Sequence, residues 1–245
     1  MKRFANKTVL VTGGTSGIGL ATAQAYAAEG ARVVVTGRDE AALDAARKIL
    51  GADALAYRND AASPAASREL AAALKEEGVT LDAVFVNAGV AKFAPFDQVD
   101  EALWDQSFDI NVKGAYFQIQ ALLPLLNKGA SIVLNGSINA HIGMPMSSVY
   151  AASKAALVSF AKTLSAELLP RGVRVNVVSP GPVTTPLHGK IGMDDATKEA
   201  LAAQIPLGRF GTAAELASTV LHLSAAESAF IVGTEIIVDG GMSQL

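Results

Sequence analysis

Tyr150 and Lys154 stand four positions apart in a segment of helical composition, so both side chains project from one face of the helix. A phenol beside an ammonium suits the transfer of a proton to or from an oxygen atom. Tyrosine ordinarily titrates near ~10, too high for a base at neutral pH. A neighbouring cation favours the phenolate. Lowering the pKa by roughly three units takes about 4 kcal/mol, an amount a near charge in a partly desolvated cleft supplies. Ser137 precedes Tyr150 by thirteen positions, and its hydroxyl would bind the reacting oxygen and stabilise developing charge. Hydride transfer to a carbonyl makes an alkoxide that needs such a proton, and the reverse reaction needs a base. Tyrosine–lysine pairs at this spacing also occur on ordinary helix surfaces, so the reading depends on the rest of the chain.

The rest of the chain supplies a partner chemistry. A short β-branched run leads into Thr12-Gly13-Gly14-Thr15-Ser16-Gly17-Ile18-Gly19, and a helical segment follows. Glycines there let the backbone turn tightly and approach a pyrophosphate, and the helix N-terminus offers free N–H groups. After the second strand comes Thr36-Gly37-Arg38-Asp39. An acid at that strand end binds a ribose 2′-hydroxyl, whereas an arginine suits a 2′-phosphate. Gly37 occupies the acid's place and Arg38 follows, which favours NADP(H), with NAD(H) as the alternative. Asp39 reads as the N-cap of the next helix.

These groups must be held by something. β-branched runs at 9–11, 33–35, 83–86, 132–134, 173–178 and 236–238 are near-continuously apolar, as strands buried on both faces are. Between them, 18–29, 40–50, 64–77, 101–126, 148–169 and 213–223 have helical composition and spacing. The alternation predicts one α/β domain over residues 1–245. Its form is a Rossmann-type, doubly wound parallel sheet of about seven strands with helices on both faces, in three α/β/α layers. The stretch 180–207, rich in proline and glycine, reads as a substrate-covering loop at about 182–207 with a short helix near 195–204.

T-G-x-x-x-G-x-G at Thr12 to Gly19, Asn87-Ala88-Gly89 after the fourth strand, and Asn111, Ser137, Tyr150 and Lys154 in order resemble the short-chain dehydrogenase/reductase family. The likeness is to its 3-oxoacyl-[acyl-carrier-protein] reductase-like or carbonyl reductase-like branch. It runs from Thr12 to Val238-Asp239-Gly240-Gly241. It implies a catalytic tetrad of Asn111, Ser137, Tyr150 and Lys154, with Lys154 also on the nicotinamide ribose and Asn111 holding a proton-relay water. The cofactor residues implied are Gly13, Thr15, Ser16, Gly17, Ile18, Gly19, Arg38, Asp60 and Ala61 toward the adenine, then Asn87, Ala88 and Gly89. Tyr150, Lys154, Pro180, Gly181, Val183 and Thr185 complete the set at the nicotinamide. Pro-S hydride transfer is implied. Related enoyl reductases use a longer gap between tyrosine and lysine, which argues against that reaction. A homotetramer, or a homodimer, is the implied assembly.

Substrate contacts are less specified: Ser137, Tyr150, Asn139, His141, Met144 and His188 are the candidates, with Met144 and Met146 suited to an apolar wall. Three scattered histidines give no metal-site pattern. With 51% hydrophobic and 18% charged residues, the 245-residue chain has ample core. A net charge of −3 gives no nucleic-acid footprint, and the absence of cysteine removes thiol chemistry. No apolar run reaches the ~20 residues of a membrane span, so the expectation is a cytoplasmic enzyme acting on a small carbonyl or alcohol. A non-catalytic dinucleotide-binding regulator is the alternative from a different class.

Overall fold

The computed structural model describes residues 2–185 and 194–245. The chain alternates β1 (Thr8–Val11), α1 (Gly17–Ala28), β2 (Arg32–Gly37), α2 (Glu40–Leu50), β3 (Leu55–Arg58), α3 (Pro64–Glu76) and β4 (Leu81–Val86). It continues through α4 (Glu101–Phe108), α5 (Ala115–Leu122), β5 (Leu126–Asn135), α6 (Ser148–Leu168) and β6 (Arg174–Pro180). Beyond come β7 (Val183–Thr184), α7 (Asp195–Ala202), β8 (Gly211–Thr212), α8 (Ala213–Ser224) and β9 (Glu235–Val238).

Seven strands form one parallel sheet in the order β3-β2-β1-β4-β5-β6-β9. The order reverses between β1 and β4, and in such sheets the crevice outside the carboxyl ends at that point is where ligands bind. Thr12 ties the two strand ends together there: its Oγ1 accepts from the N–H groups of both Asn87 and Ala88 at 2.9 Å. Both faces of the sheet are covered. Leu70 and Leu74 of α3, Ile119 and Leu122 of α5, and Leu157 of α6 pack on one side. Tyr26 of α1, Leu43 of α2, and Leu216 and Val220 of α8 pack on the other. That double coverage is why the central strands read as unbroken apolar runs. The edge strand β3 is only half-buried, so it carries no such run.

Helix boundaries follow local chemistry. Asp39 caps α2 by accepting from the Ala42 N–H at 2.7 Å, and Gly51, Gly78 and Gly172 end helices at positive φ. One expected helix is not continuous. Between α4 and α5 the backbone widens into a π-turn over Asp109–Gly114. A Cβ on Gly114 would stand 1.9 Å from the Ala61 carbonyl oxygen, so the turn lies flush on the loop after β3. The segment then ends at Leu123-Pro124-Leu125, a 3₁₀ turn, and β5 begins at Leu126 rather than six residues later. Within 182–207, the short helix is Asp195–Ala202, while β7 forms an unexpected small parallel pair with β8, which lies just beyond that stretch.

Candidate active site

At the carboxyl ends of the strands lies a cleft of about 870 Å³. Its outer end is the glycine-rich turn. Gly13 and Gly17 adopt left-handed φ values of 62° and 53°, which glycine alone takes without strain. A Cβ on Gly19 would lie 2.2 Å from the Gly13 carbonyl oxygen; this glycine packs the helix onto the turn rather than lining the cleft. Side chains cap α2, α3, α4, α7 and α8, whereas α1, like α5 and α6, has no side-chain cap. The first N–H groups of α1 therefore face the cleft beside Ser16 with the helix dipole behind them, an arrangement made for phosphate.

The far wall is built by β2 and β3. A Cβ on Gly37 would come within 2.8 Å of Thr15 Cγ2, so no acidic side chain fits at that strand end without displacing Thr15. Arg38 is exposed at the cleft rim, and its main-chain carbonyl accepts from Arg58 Nε at 3.3 Å. Asp60 lines the cleft while accepting from the Ala62 N–H at 3.0 Å. Two buried polar atoms on the cleft wall, Asn59 Nδ2 and Asn135 Oδ1, have no partner among the described residues. A glycine cradle, uncapped helix amides and orphaned wall atoms fit a bound dinucleotide.

The inner end holds the proton-transfer candidates. Ser137 follows β5, and α6 carries Tyr150 and Lys154. Lys154 is buried, donates from Nζ to the Asn135 carbonyl at 2.6 Å, and stands 5.8 Å from the Tyr150 ring centroid. Burial pulls its pKa down to about 8. Burial also pushes the Tyr150 phenol up, opposed by its hydrogen bond with Ser137. The sequence leads one to expect the lysine to lower the tyrosine; desolvation is the larger effect on the phenol, because the cleft that brings the groups together also removes water from both.

Asn111 sits in the π-turn, buried, behind the cleft wall. Its Oδ1 accepts from the Val90 N–H at 2.8 Å, and its Nδ2 donates to the Val90 carbonyl at 2.9 Å and to Ser153 Oγ at 3.0 Å. The amide thus ties the loop after β4 to α6. Gly89 passes directly over this junction: a Cβ there would be 3.1 Å from Asn111 Oδ1 and 3.6 Å from Lys154 Nζ.

Of the residues singled out in the sequence, Gly13, Thr15, Ser16, Gly17, Ile18, Arg38, Asp60, Ala61, Asn87, Ala88 and Gly89 line the cleft. So do Ser137, Asn139, Met144, Tyr150, Lys154, Pro180, Gly181, Val183 and Thr185. His141 does not: its Nε2 pairs with Glu235 Oε1 at 2.7 Å, and that carboxylate also accepts from Ser179. The attraction of a carboxylate 94 residues away is invisible in local sequence. His188 lies outside the described residues. Leu201 and Met242 line the cleft unforeseen. Met242 arrives because the chain reverses at Gly240 and Gly241, with φ of 67° and 91°; that glycine pair was its one local signal. Among the described residues no helix is long and apolar enough to cross a membrane, and no three His, Asp or Glu side chains converge as a metal site.

Comparison with known proteins agrees with this architecture. A family model described as "Enoyl-(Acyl carrier protein) reductase" matches residues 13–243. The D-threitol dehydrogenase of Mycolicibacterium smegmatis is 36% identical over 244 residues, covering 98% of this chain and 94% of that protein. The Pseudomonas aeruginosa RhlG/NADP active-site complex matches with a TM-score of 0.93 at 33% identity over 99% of each chain. A short-chain dehydrogenase/reductase of Brucella melitensis, described as a glucose/ribitol dehydrogenase, gives 0.94 at 33% identity over 100% of both. Sheet order, glycine turn and full-length similarity together make this chain a member of the short-chain dehydrogenase/reductase family, an NAD(P)-dependent oxidoreductase.

Proposed function

We propose that the protein interconverts a ketone and a secondary alcohol, with NADP(H) favoured over NAD(H) and Tyr150 as the general acid/base. One observation carries the reading: the hydroxyls of Ser137 and Tyr150 meet at the inner end of the cleft whose outer end is the uncapped α1 and whose rim carries Arg38.

In this reading the first-turn amides of α1, with Gly13, Thr15, Ser16, Gly17 and Ile18, hold the pyrophosphate. Asp60 and Ala61 meet the adenine, Asn87, Ala88 and Gly89 the ribose, and the turn from Pro180 to Thr185 the carboxamide. When bound, the nicotinamide carries the hydride and, oxidised, adds positive charge beside the phenol. Ser137 donates a hydrogen bond to the substrate oxygen, Tyr150 passes its proton to that oxygen as the carbonyl carbon is reduced, and in reverse Tyr150 takes it back. Lys154 at 5.8 Å from the ring centre offers the phenolate on the order of 2–3 kcal/mol at an effective dielectric of about 20. That is short of the cost of ionising a half-buried, desolvated tyrosine, so Ser137 and the cofactor would supply the rest. Asn111 acts through Val90 and Ser153, as a positioning residue.

Asp39 is committed to its cap and Gly37 has no room for an acid, which leaves Arg38 as the side chain free to meet a 2′-phosphate. Enoyl reduction is the weaker reading, because Ser137 and Tyr150 present two donors to one oxygen, which a carbonyl uses directly. A purely regulatory dinucleotide binder would not require that juxtaposition. The reading extends to a cytoplasmic homotetramer or homodimer, supported by the half-exposed Trp104 and Tyr116 on α4 and α5. Ketone-dependent oxidation of NADPH and NADH by wild type and Arg38→Ala tests it. NADPH preferred, with the preference lost in the variant, upholds it; equal or better use of NADH by wild type overturns the cofactor assignment.

A further inference from the structure

We infer that the substrate is an apolar ketone, or its alcohol, with an alkyl or aryl group beside the carbonyl rather than a polyhydroxylated chain. This rests on the reading of Tyr150 as the proton donor, and extends it to the wall that faces the phenol. Phe93, Ile142, Met144, Met146, Leu201 and Met242 are among the apolar side chains that line the cleft, and Phe93 is the one set against the phenol. The Phe93 ring stands edge-on to Tyr150 with centroids 5.7 Å apart, so any group on the carbonyl carbon meets it first.

Among the described residues, the polar side chains expected here besides Ser137 and Tyr150 are already engaged: Asn139 within the cleft and His141 away from it. Asn139 Oδ1 accepts from Ser137 Oγ at 3.3 Å and its Nδ2 lies 3.4 Å from Met144 Sδ. His141 is turned onto Glu235. The charged side chains lining the cleft among the described residues are Arg38, Asp39, Asp60 and Lys154. The first three stand at the adenine end, and Lys154 is held by Asn135. A substrate hydroxyl set against this wall leaves water and finds no free charged partner among the described residues, and unpaired buried donors are costly. A methylene gains from the same burial.

These apolar side chains come from segments distant in sequence. The Ala94 N–H donates to the Met146 carbonyl at 2.9 Å, joining the Phe93 loop to a methionine held at φ 67°, a conformation non-glycine residues rarely take. Met242 is set by the Asp239 carboxylate, which accepts from the N–H groups of Gly241 at 2.9 Å and Ser243 at 2.7 Å. Three of the chain's five methionines thus line one cleft. Thioether side chains are flexible and polarisable, and surfaces rich in them accept apolar groups of varied shape. The inference is therefore a chemical class of some breadth rather than a single molecule.

The test compares kcat/KM, with NADPH and the full chain, for butan-2-one and 1,3,4-trihydroxybutan-2-one, which share a carbon skeleton, and for octan-2-one and acetophenone. Each unpaired hydroxyl should cost on the order of tenfold. We expect octan-2-one and acetophenone to lead, and butan-2-one to exceed its trihydroxy analogue by about a hundredfold or more. Phe93→Ala and Met242→Gln should each reduce the ratio of octan-2-one to trihydroxybutanone activity by about tenfold; a ratio cancels any loss of folded enzyme. Turnover of the trihydroxy ketone at or above butan-2-one overturns the inference and leaves the ketone–alcohol reading standing. A ratio unmoved in both variants also overturns it. If no ketone is reduced while NADPH binds, the reading of the reaction fails and this inference falls with it.

Discussion

Burial pulls the Lys154 ammonium down to about 8 from the 10.5 of an ordinary lysine. The unfolded chain therefore binds more protons than the folded one between those values, and stability must rise with pH through that window. The sign is opposite to that of a lysine gaining an ion-pair partner. A shift from 10.5 to about 8 corresponds to about 3 kcal/mol in all. Of this, about 2 kcal/mol should be recovered between pH 7 and pH 9.5. The perturbation is Lys154→Met, which keeps the length of the side chain and removes the titration. Wild type and variant are unfolded in urea, without dinucleotide, across that range, and the difference in unfolding free energy is plotted against pH. Other groups titrate alike in both proteins and cancel. Wild type should gain about 2 kcal/mol on the variant, equivalent to about 4–8 °C in Tm for a chain of this size. The variant also loses the bond to the Asn135 carbonyl, which offsets the curve without changing its slope. A flat difference would refute the reasoning, since it would mean that Lys154 titrates normally in the folded protein.

Gly114→Ala should destabilise the protein by about 3 kcal/mol, since its Cβ would lie 1.9 Å from a backbone oxygen of Ala61 that cannot move aside cheaply; denaturant unfolding reads this directly. Glu235→Ala removes the acceptor shared by Ser179 and His141. Ser179 is fully buried, so a loss of about 1–2 kcal/mol is expected, together with a raised KM as the turn after Ser137 loosens.

What could be read from sequence was what is encoded locally. Val33-Val34-Val35 announces a strand covered on both faces, Asp39 a cap, Gly13 and Gly17 a turn, and Tyr150 and Lys154 a shared helix face; each signal lies within one element. What escaped depends on contacts between elements distant in sequence. The π-turn holding Asn111 looks like ordinary helix until Gly114 meets Ala61 and the amide reaches Val90. His141 could have faced the substrate but for Glu235 on the last strand. Tyr150 and Lys154 were placed correctly on their helix face, yet the size of their shared desolvation depends on how deeply the cleft folds around them. Met242 reaches the cleft only because Asp239 and two glycines turn the C-terminus back.

The central claim is that the Tyr150 hydroxyl moves the proton. Its most direct test is Tyr150→Phe, which removes one oxygen and keeps the ring that packs against Phe93. Ketone-dependent NADPH oxidation should fall by about 10²–10⁴ in kcat, while NADP+ raises Tm as much as in wild type. Activity within a few-fold of wild type, with cofactor binding intact, would contradict the account and assign the proton to another group.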